Sequence, residues 1–215
     1  MLLDERHRDI AQIALAAAGR RYGVAFAGGG ALQVHEVSAR RTQDVDLFVK
    51  RAGQVGDAAA AIGEALELAG YRVAVPYAGE GMIEFEVTPP PGGGDPVQVQ
   101  VAHFAYGATV DTVVGPTVTL DYLAARKAVA LMERHQVRDY VDIASLVDAG
   151  YGIGVLLEMA FREAPYLEAA DAGDAGAHLD MISDQRLGRE LPAGKTAGWV
   201  RAALAGWPRQ PMHDG

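Results

Sequence analysis

An apolar tetrapeptide that runs straight into three glycines, Val24-Ala25-Phe26-Ala27 followed by Gly28-Gly29-Gly30, constrains this chain more than any other stretch. A short apolar run bounded by turn residues suits a buried strand, and glycine lets a backbone turn sharply or approach another group closely. Downstream, Asp44-Val45-Asp46 opens a second apolar run, Leu47-Phe48-Val49. Successive side chains on a strand alternate faces, so Asp44 and Asp46 project together while Val45 turns into the core. Two like charges held that close are costly unless a cation offsets them, and hard oxygen donors suit Mg²⁺ or Mn²⁺. A solvated strand entrance satisfies the same pattern. The glycines tip the balance, because a strand–glycine–helix turn aims backbone N–H groups at a phosphate. Together the two pieces describe a site for a nucleoside triphosphate carried with Mg²⁺.

The totals narrow the field further. The chain has 215 residues, half of them hydrophobic, which is enough for a substantial core. It has no cysteine, so disulfides, thiolate metal sites and cysteine nucleophiles are excluded. A net charge of −9 argues against a protein that coats duplex nucleic acid with its whole surface. No apolar run approaches the roughly 18 residues of a membrane span. Ile10 to Gly19 is apolar, but Asp4, Glu5 and Asp9 spoil a signal-peptide start, and Ile10, Ile13, Ala14 and Ala17 recur at helical spacing. A cytoplasmic protein with an N-terminal helix is expected.

Periodicity predicts that helix over about 4–19, ended by Gly19, then a strand over 22–27, a helix over 31–37 and a strand over 45–49. A patterned helix follows over 55–69, stopped by Gly70. Strands are expected over 71–76, 82–87 and 97–101. The last two alternate across the loop Pro89 to Pro96 and read as an antiparallel hairpin with one polar face. Residues 113–119 form a further extended piece. Helices are then expected over 120–135, 137–149 and 153–164, with weaker signals over 179–187 and 197–205. A β-rich half at 1–118 and a helical half at 119–215 result. Gly194-Lys195-Thr196 is no P-loop, since Arg189 stands where the first glycine belongs.

GGGAL, Gly28 to Leu32, and ARRTQDVDLFV, Ala39 to Val49, resemble the minimal nucleotidyltransferases of the DNA polymerase β-like superfamily, above all the AbiEii-type toxin group. A second stretch, LDYLAARKAVALMERHQVRDYVDIASLV, Leu120 to Val147, is similar to that group's helical motif, a lysine helix followed by R-D-x-x-D. The resemblance implies an α/β nucleotidyltransferase fold, a mixed β-sheet flanked by helices, with the helical half at 119–215 completing the active site. It implies that Asp44 and Asp46 bind Mg²⁺, and that Gly28, Gly29 and Thr42 contact the triphosphate of an NTP. It further implies that Lys127 holds a phosphate oxygen or offsets its charge, and that Asp139 or Asp142 acts as a base or orients one. Arg40 and Arg41, just before the metal strand, are phosphate partners by position and charge.

Structural alternatives exist for each of these. Lys127 reads equally as a solvated helix lysine, and Asp139 as an early-turn acid at a helix N-terminus. Arg138 and Asp142, four apart, suit a surface pair. Histidines 35, 103 and 135 lack ligand spacing. The chain also departs from the family pattern at two points. Gly30 stands where serine or threonine is usual, leaving backbone N–H groups to serve there. Gln98 and Gln100 occupy the strand where a third carboxylate is common, with Glu84 or Glu86 across the hairpin as substitutes.

The implied activity is transfer of an NMP from an NTP to a hydroxyl acceptor, in a toxin of a toxin–antitoxin pair. RNA such as tRNA is the implied acceptor and an antitoxin the implied protein partner. Arg40, Arg41, Lys50, Arg126, Lys127, Arg134 and Arg138 form a local basic set for RNA despite the acidic total. The alternatives are a nucleotidyltransferase acting on aminoglycoside-type antibiotics, whose positive charge suits an acidic surface, and a degenerate nucleotide-binding or interaction protein.

Overall fold

Gly23, not Gly19, ends the first helix, α1 (Glu5–Tyr22). Its left-handed backbone, φ 61° and ψ 54°, lets its N–H reach back to the Gly19 carbonyl, a conformation that favours glycine. Gly19 lies inside the helix, where a Cβ would stand 3.5 Å from Pro116, an ordinary packing contact. Asp4 caps the other end by accepting from the Arg6 N–H. The computed structural model describes residues 3–209.

Those residues divide into two compact units. One comprises the chain up to Glu36 together with Thr42–Leu120, and the other Val37–Arg41 together with the chain from Asp121 on. The segment Val37–Arg41, assigned with the N-terminal half on sequence grounds, therefore belongs with the helical unit.

The first unit is built on β1 (Val24–Ala27), β2 (Asp44–Val49), β3 (Arg72–Ala78), β4 (Met82–Thr88), β5 (Val97–His103), β6 (Thr109–Thr112) and β7 (Gly115–Val118). These form a seven-stranded sheet of order β3-β4-β5-β2-β1-β7-β6. The β2–β5 and β1–β7 pairs are parallel and the others antiparallel, so the sheet is mixed. The expected hairpin of β4 and β5 is present, with Phe85 opposite Val99 and Glu84 opposite Gln100. β6 is a strand that periodicity did not indicate; its residues are mostly exposed at the sheet edge, where no core-facing alternation is required.

The helix after the glycines, α2 (Gly28–Val34), starts at Gly28 itself and not at Ala31. The glycines therefore serve close approach more than loop formation. α1 and α3 (Val55–Leu68) pack against the sheet through Ile10, Ala14, Ala18, Ala58, Ile62 and Leu66. Val45, Leu47, Val99 and Val101, all buried, answer from the strands. Residues of opposite parity, Asp44, Asp46, Gln98, Gln100, Glu84 and Glu86, share the other face, where they are half-buried or exposed.

The helical unit holds α4 (Leu120–Arg134), α5 (Val137–Asp148), α6 (Ile153–Glu163), α7 (Ala169–Met181), α8 (Asp184–Gly188) and α9 (Ala197–Ala203). The helix expected over 179–187 is thus two helices, broken where the Ile182 backbone turns extended and Ser183 caps α8. Two buried aromatics close on α7: the Tyr140 hydroxyl donates to the Ala175 carbonyl at 2.8 Å, and Trp207 Nε1 to the Ala172 carbonyl at 2.9 Å. Small residues permit that approach, since a Cβ on Gly176 would lie 1.8 Å from the Pro208 carbonyl oxygen.

Trp207 is therefore a keystone of this unit. Trp207→Ala is expected to lower the unfolding free energy by about 3–5 kcal/mol, seen as a reduced urea midpoint. Trp207→Phe, which keeps most of the volume but leaves the Ala172 carbonyl without its donor, should fall between.

Candidate active site

Asp44 and Asp46 open β2 and, by strand parity, share its polar face, with Val45 fully buried between them. Thr42 is tied to the same entrance, its hydroxyl donating to the Asp44 carbonyl at 3.2 Å. The antiparallel pairing sets Ala27 opposite Asp46, which delivers Gly28, the next residue, to the Asp46 carboxylate. A Cβ built on Gly28 would fall 1.6 Å from Asp46 Oδ2. Gly28 also has φ 64°, in the left-handed region. Both facts require glycine. Gly29 and Gly30 are buried beyond it, and a Cβ on Gly30 would meet the Phe26 ring at 2.5 Å. The Phe26 ring thus fills the room that a serine or threonine side chain would need at position 30.

The neighbouring strands supply amides, not acids. In the parallel register Gln98 lies beside Asp44 and Gln100 beside Asp46. Glu84 is one strand further out, opposite Gln100, and accepts from its Nε2 at 3.4 Å. Two strand spacings, about 10 Å between backbones, separate Glu84 from Asp46. Consistent with that, no group of three or more His, Cys, Asp or Glu with metal-holding geometry occurs among the described residues. Mg²⁺ is commonly held by one or two carboxylates together with waters and substrate phosphates, so the pair fits such an ion without a third acid.

The helical unit carries the remaining candidates, and here burial reassigns roles. Asp142 is 1% exposed. Its Oδ1 accepts from Arg40 Nε at 2.9 Å and its Oδ2 from Arg40 Nη2 at 3.2 Å, while Lys127 Nζ lies 2.7 Å from Oδ2. Burial alone raises the pKa of such a carboxyl. The Lys127 and Arg40 charges and hydrogen bonds outweigh it and hold Asp142 below the ordinary carboxylate range. Arg40 Nη1 lies 3.6 Å from Glu190 Oε2, in the tail that carried little sequence signal. Arg40, read from position as a phosphate partner, is thus a clamp on Asp142. A carboxylate whose two oxygens already accept from cations is a poor proton acceptor.

Asp139 is fully buried too. It accepts from Arg134 at 3.0 and 2.7 Å and from the Gln136 N–H at 3.3 Å, while the Gln136 side chain completes a capping box at the start of α5. The helix-cap alternative describes it better than a base does.

Other members of the basic set are likewise engaged. Arg126 lies 3.8 Å from Glu163, and Lys50 donates to the Gly107 carbonyl at 3.0 Å beneath the Tyr106 ring. Arg41 is exposed. Lys127 is buried, at 9% exposed, with its ammonium against Asp142.

A mixed sheet that carries an acid pair against a glycine turn, flanked by helices, defines the nucleotidyltransferase fold. Comparison with known proteins agrees. The family model described as nucleotidyl transferase AbiEii toxin, type IV toxin–antitoxin system, matches residues 13–203, and the chain belongs to that family. Among solved structures it is similar to MenT4, a nucleotidyltransferase toxin from Mycobacterium tuberculosis H37Rv. The TM-score is 0.60 and the identity 15%, over 92% of this chain and 82% of that one. It is also similar to JHP933 from Helicobacter pylori, with TM-score 0.60 and 12% identity over 95% of this chain and 90% of the other. No curated protein matches the chain. No helix among the described residues is long and apolar enough to cross a membrane.

Asp142→Asn should cost about 3–5 kcal/mol of stability, because Lys127 and Arg40 lose the charge that balances them. A depressed folded pKa contributes stability that is fully present above the unfolded value, near 3.9, and is lost as pH falls through the folded one. The variant's stability should therefore fall less steeply than the wild type's below about pH 4. Acid titrations of both proteins by circular dichroism measure this.

Proposed function

We propose that this protein transfers an NMP from an Mg²⁺-bound NTP to a hydroxyl acceptor and releases pyrophosphate. One observation carries the reading: Asp44 and Asp46, both half-buried, share a sheet face at the point where the Gly28 backbone lies against the Asp46 carboxylate. In the proposal the two carboxylates hold Mg²⁺, and the backbone of Gly28, Gly29 and Gly30, with Thr42 and the exposed Arg41, receives the triphosphate. The ion, when bound, supplies positive charge opposite the phosphoryl oxygens. The resemblance of the Leu120–Val147 motif supports assigning Lys127 to a phosphate oxygen, with Asp142 and Arg40 as positioning residues that fix its orientation. The acceptor oxygen forms a bond to the α-phosphorus as the bond to the pyrophosphate oxygen breaks. The hydroxyl proton passes to water, since Asp139 and Asp142 are both saturated by cations.

Membership of a type IV toxin family supports a cognate antitoxin partner. The proposal adds an RNA acceptor such as tRNA and residence in the cytoplasm, where NTPs are supplied.

The test is incubation of the purified chain with α-labelled NTPs, Mg²⁺ and total RNA. Label is expected in RNA, with pyrophosphate released. Asp44→Asn and Asp46→Asn should each reduce the rate by on the order of a thousandfold, the loss of several kcal/mol of charge stabilisation. Undiminished transfer by the double variant would sink the assignment.

A further inference from the structure

One extra residue in a strand reverses the parity of everything beyond it. β3 carries such a bulge. Ala74 pairs with Glu86 and Tyr77 with Glu84, so β3 advances three residues where β4 advances two. An unbroken register would set residue 76 opposite Glu84 and turn Tyr77 to the helix-packed face beside Ile83. The bulge instead brings Tyr77 onto the face of the acid pair. It spans Val75 and Pro76, and Pro76 has no N–H to give to a ladder.

The result is a row across four strands, each member in register with the next: Asp46, Gln100, Glu84, Tyr77. Three strand spacings place the Tyr77 backbone about 14 Å from that of Asp46. Tyr77 is 48% exposed. Its ring lies along Gly79, where a Cβ would come within 2.7 Å of the hydroxyl, so glycine makes the room for it. Between ring and acid pair stand Gln100 and Glu84, joined by their 3.4 Å hydrogen bond and both half-exposed. A carboxylate that has accepted one hydrogen bond retains sites for more.

The direction of this row matters. Sheet order puts β1 and the Gly28 turn on one side of β2, and β5, β4 and β3 on the other. In phosphoryl transfer the attacking and leaving oxygens lie roughly in line on opposite sides of phosphorus. With the triphosphate at the glycines, the acceptor enters from the side of Gln100, Glu84 and Tyr77. That side is acidic, so it repels phosphates. It offers an aromatic face for stacking and a carboxylate for amino groups, which are the two handles of an unpaired nucleobase.

Resting on the transferase reading above, we propose that Tyr77, Glu84 and Gln100 form the platform for the terminal nucleosides of a single-stranded RNA acceptor. A base stacks on Tyr77, and Glu84, oriented by Gln100, accepts from its exocyclic amino group. Adenine, cytosine and guanine carry that donor and uracil does not, so acceptors ending in uridine are disfavoured.

The test uses the full chain with Mg²⁺ and fluorescein-labelled oligoribonucleotides that share one body and end in A, C, G or U. Binding is read by anisotropy and transfer from labelled NTP is read separately. Tyr77→Ala should weaken oligonucleotide binding by about 10- to 100-fold, the worth of one base stack, and raise the acceptor KM with little change in kcat or NTP KM. Tyr77→Phe should behave as wild type. Glu84→Gln should erase the discrimination against uridine. Thermal melting checks that these exposed substitutions leave the fold intact.

The two readings separate. Binding that depends on Tyr77 without any transfer overturns the transferase assignment and keeps the platform. Transfer or binding that ignores both Tyr77→Ala and Glu84→Gln overturns the platform and keeps the transferase. Failure of the wild type to bind any oligonucleotide, or transfer to aminoglycosides in place of RNA, overturns the platform as well.

Discussion

The alternation of β2 governs the sheet unit. Val45, Leu47 and Val49 are fully buried, and that requirement forces Asp44 and Asp46 onto the opposite face. Because β5 runs beside β2 in register and β4 beside β5, the same parity extends across three strands and assembles amides and carboxylates on one surface. Burying such a surface under an apolar helix would leave charges without water or partners. α1 and α3 accordingly pack against the apolar residues of these strands. A single choice of register thus decides where the core lies and where chemistry can occur.

The helical unit is organised by a different interaction, a carboxylate taken out of water and matched to cations. Asp142 between Lys127 and Arg40, with Glu190 beyond, is close to charge-balanced. Arg40 matches the carboxylate with two parallel donors, which fixes its geometry as well as its charge. Such a cluster holds each member in place only while all are present. Both oxygens of Asp142 are therefore committed to Lys127 and Arg40.

Much of this was readable in the chain and some was not, for reasons that can be named. The Gly28 turn and the Asp44–Asp46 pair were legible because strand parity and glycine chemistry are local. Helix ends were less so: Gly19 and Gly23 both offer a stop, and only the left-handed backbone at Gly23 decides between them. β6, four mostly exposed residues, has no hydrophobic period to detect. The Arg40–Asp142 bond joins residues 102 positions apart, beyond any spacing rule. Asp139 was ambiguous between base and cap. The Gln136-x-x-Asp139 spacing was a signal for the cap, muted because neither residue is the usual Ser/Thr or Glu/Gln of that motif. The bulge had one clue, a proline inside an alternating run, which marks an edge or a break without saying which way the next side chain turns.

That bulge also bears on how the molecule behaves in company. β3 is an outer strand of the sheet, and it exposes Val75 as well as Tyr77. An outer strand with apolar side chains invites a strand from another chain to extend the sheet. Pro76 withholds a donor there and the extra residue breaks the ladder, so an incoming strand finds no continuous edge to pair with. The irregularity that turns Tyr77 to one face thus also interrupts the edge on which that exposed aromatic stands.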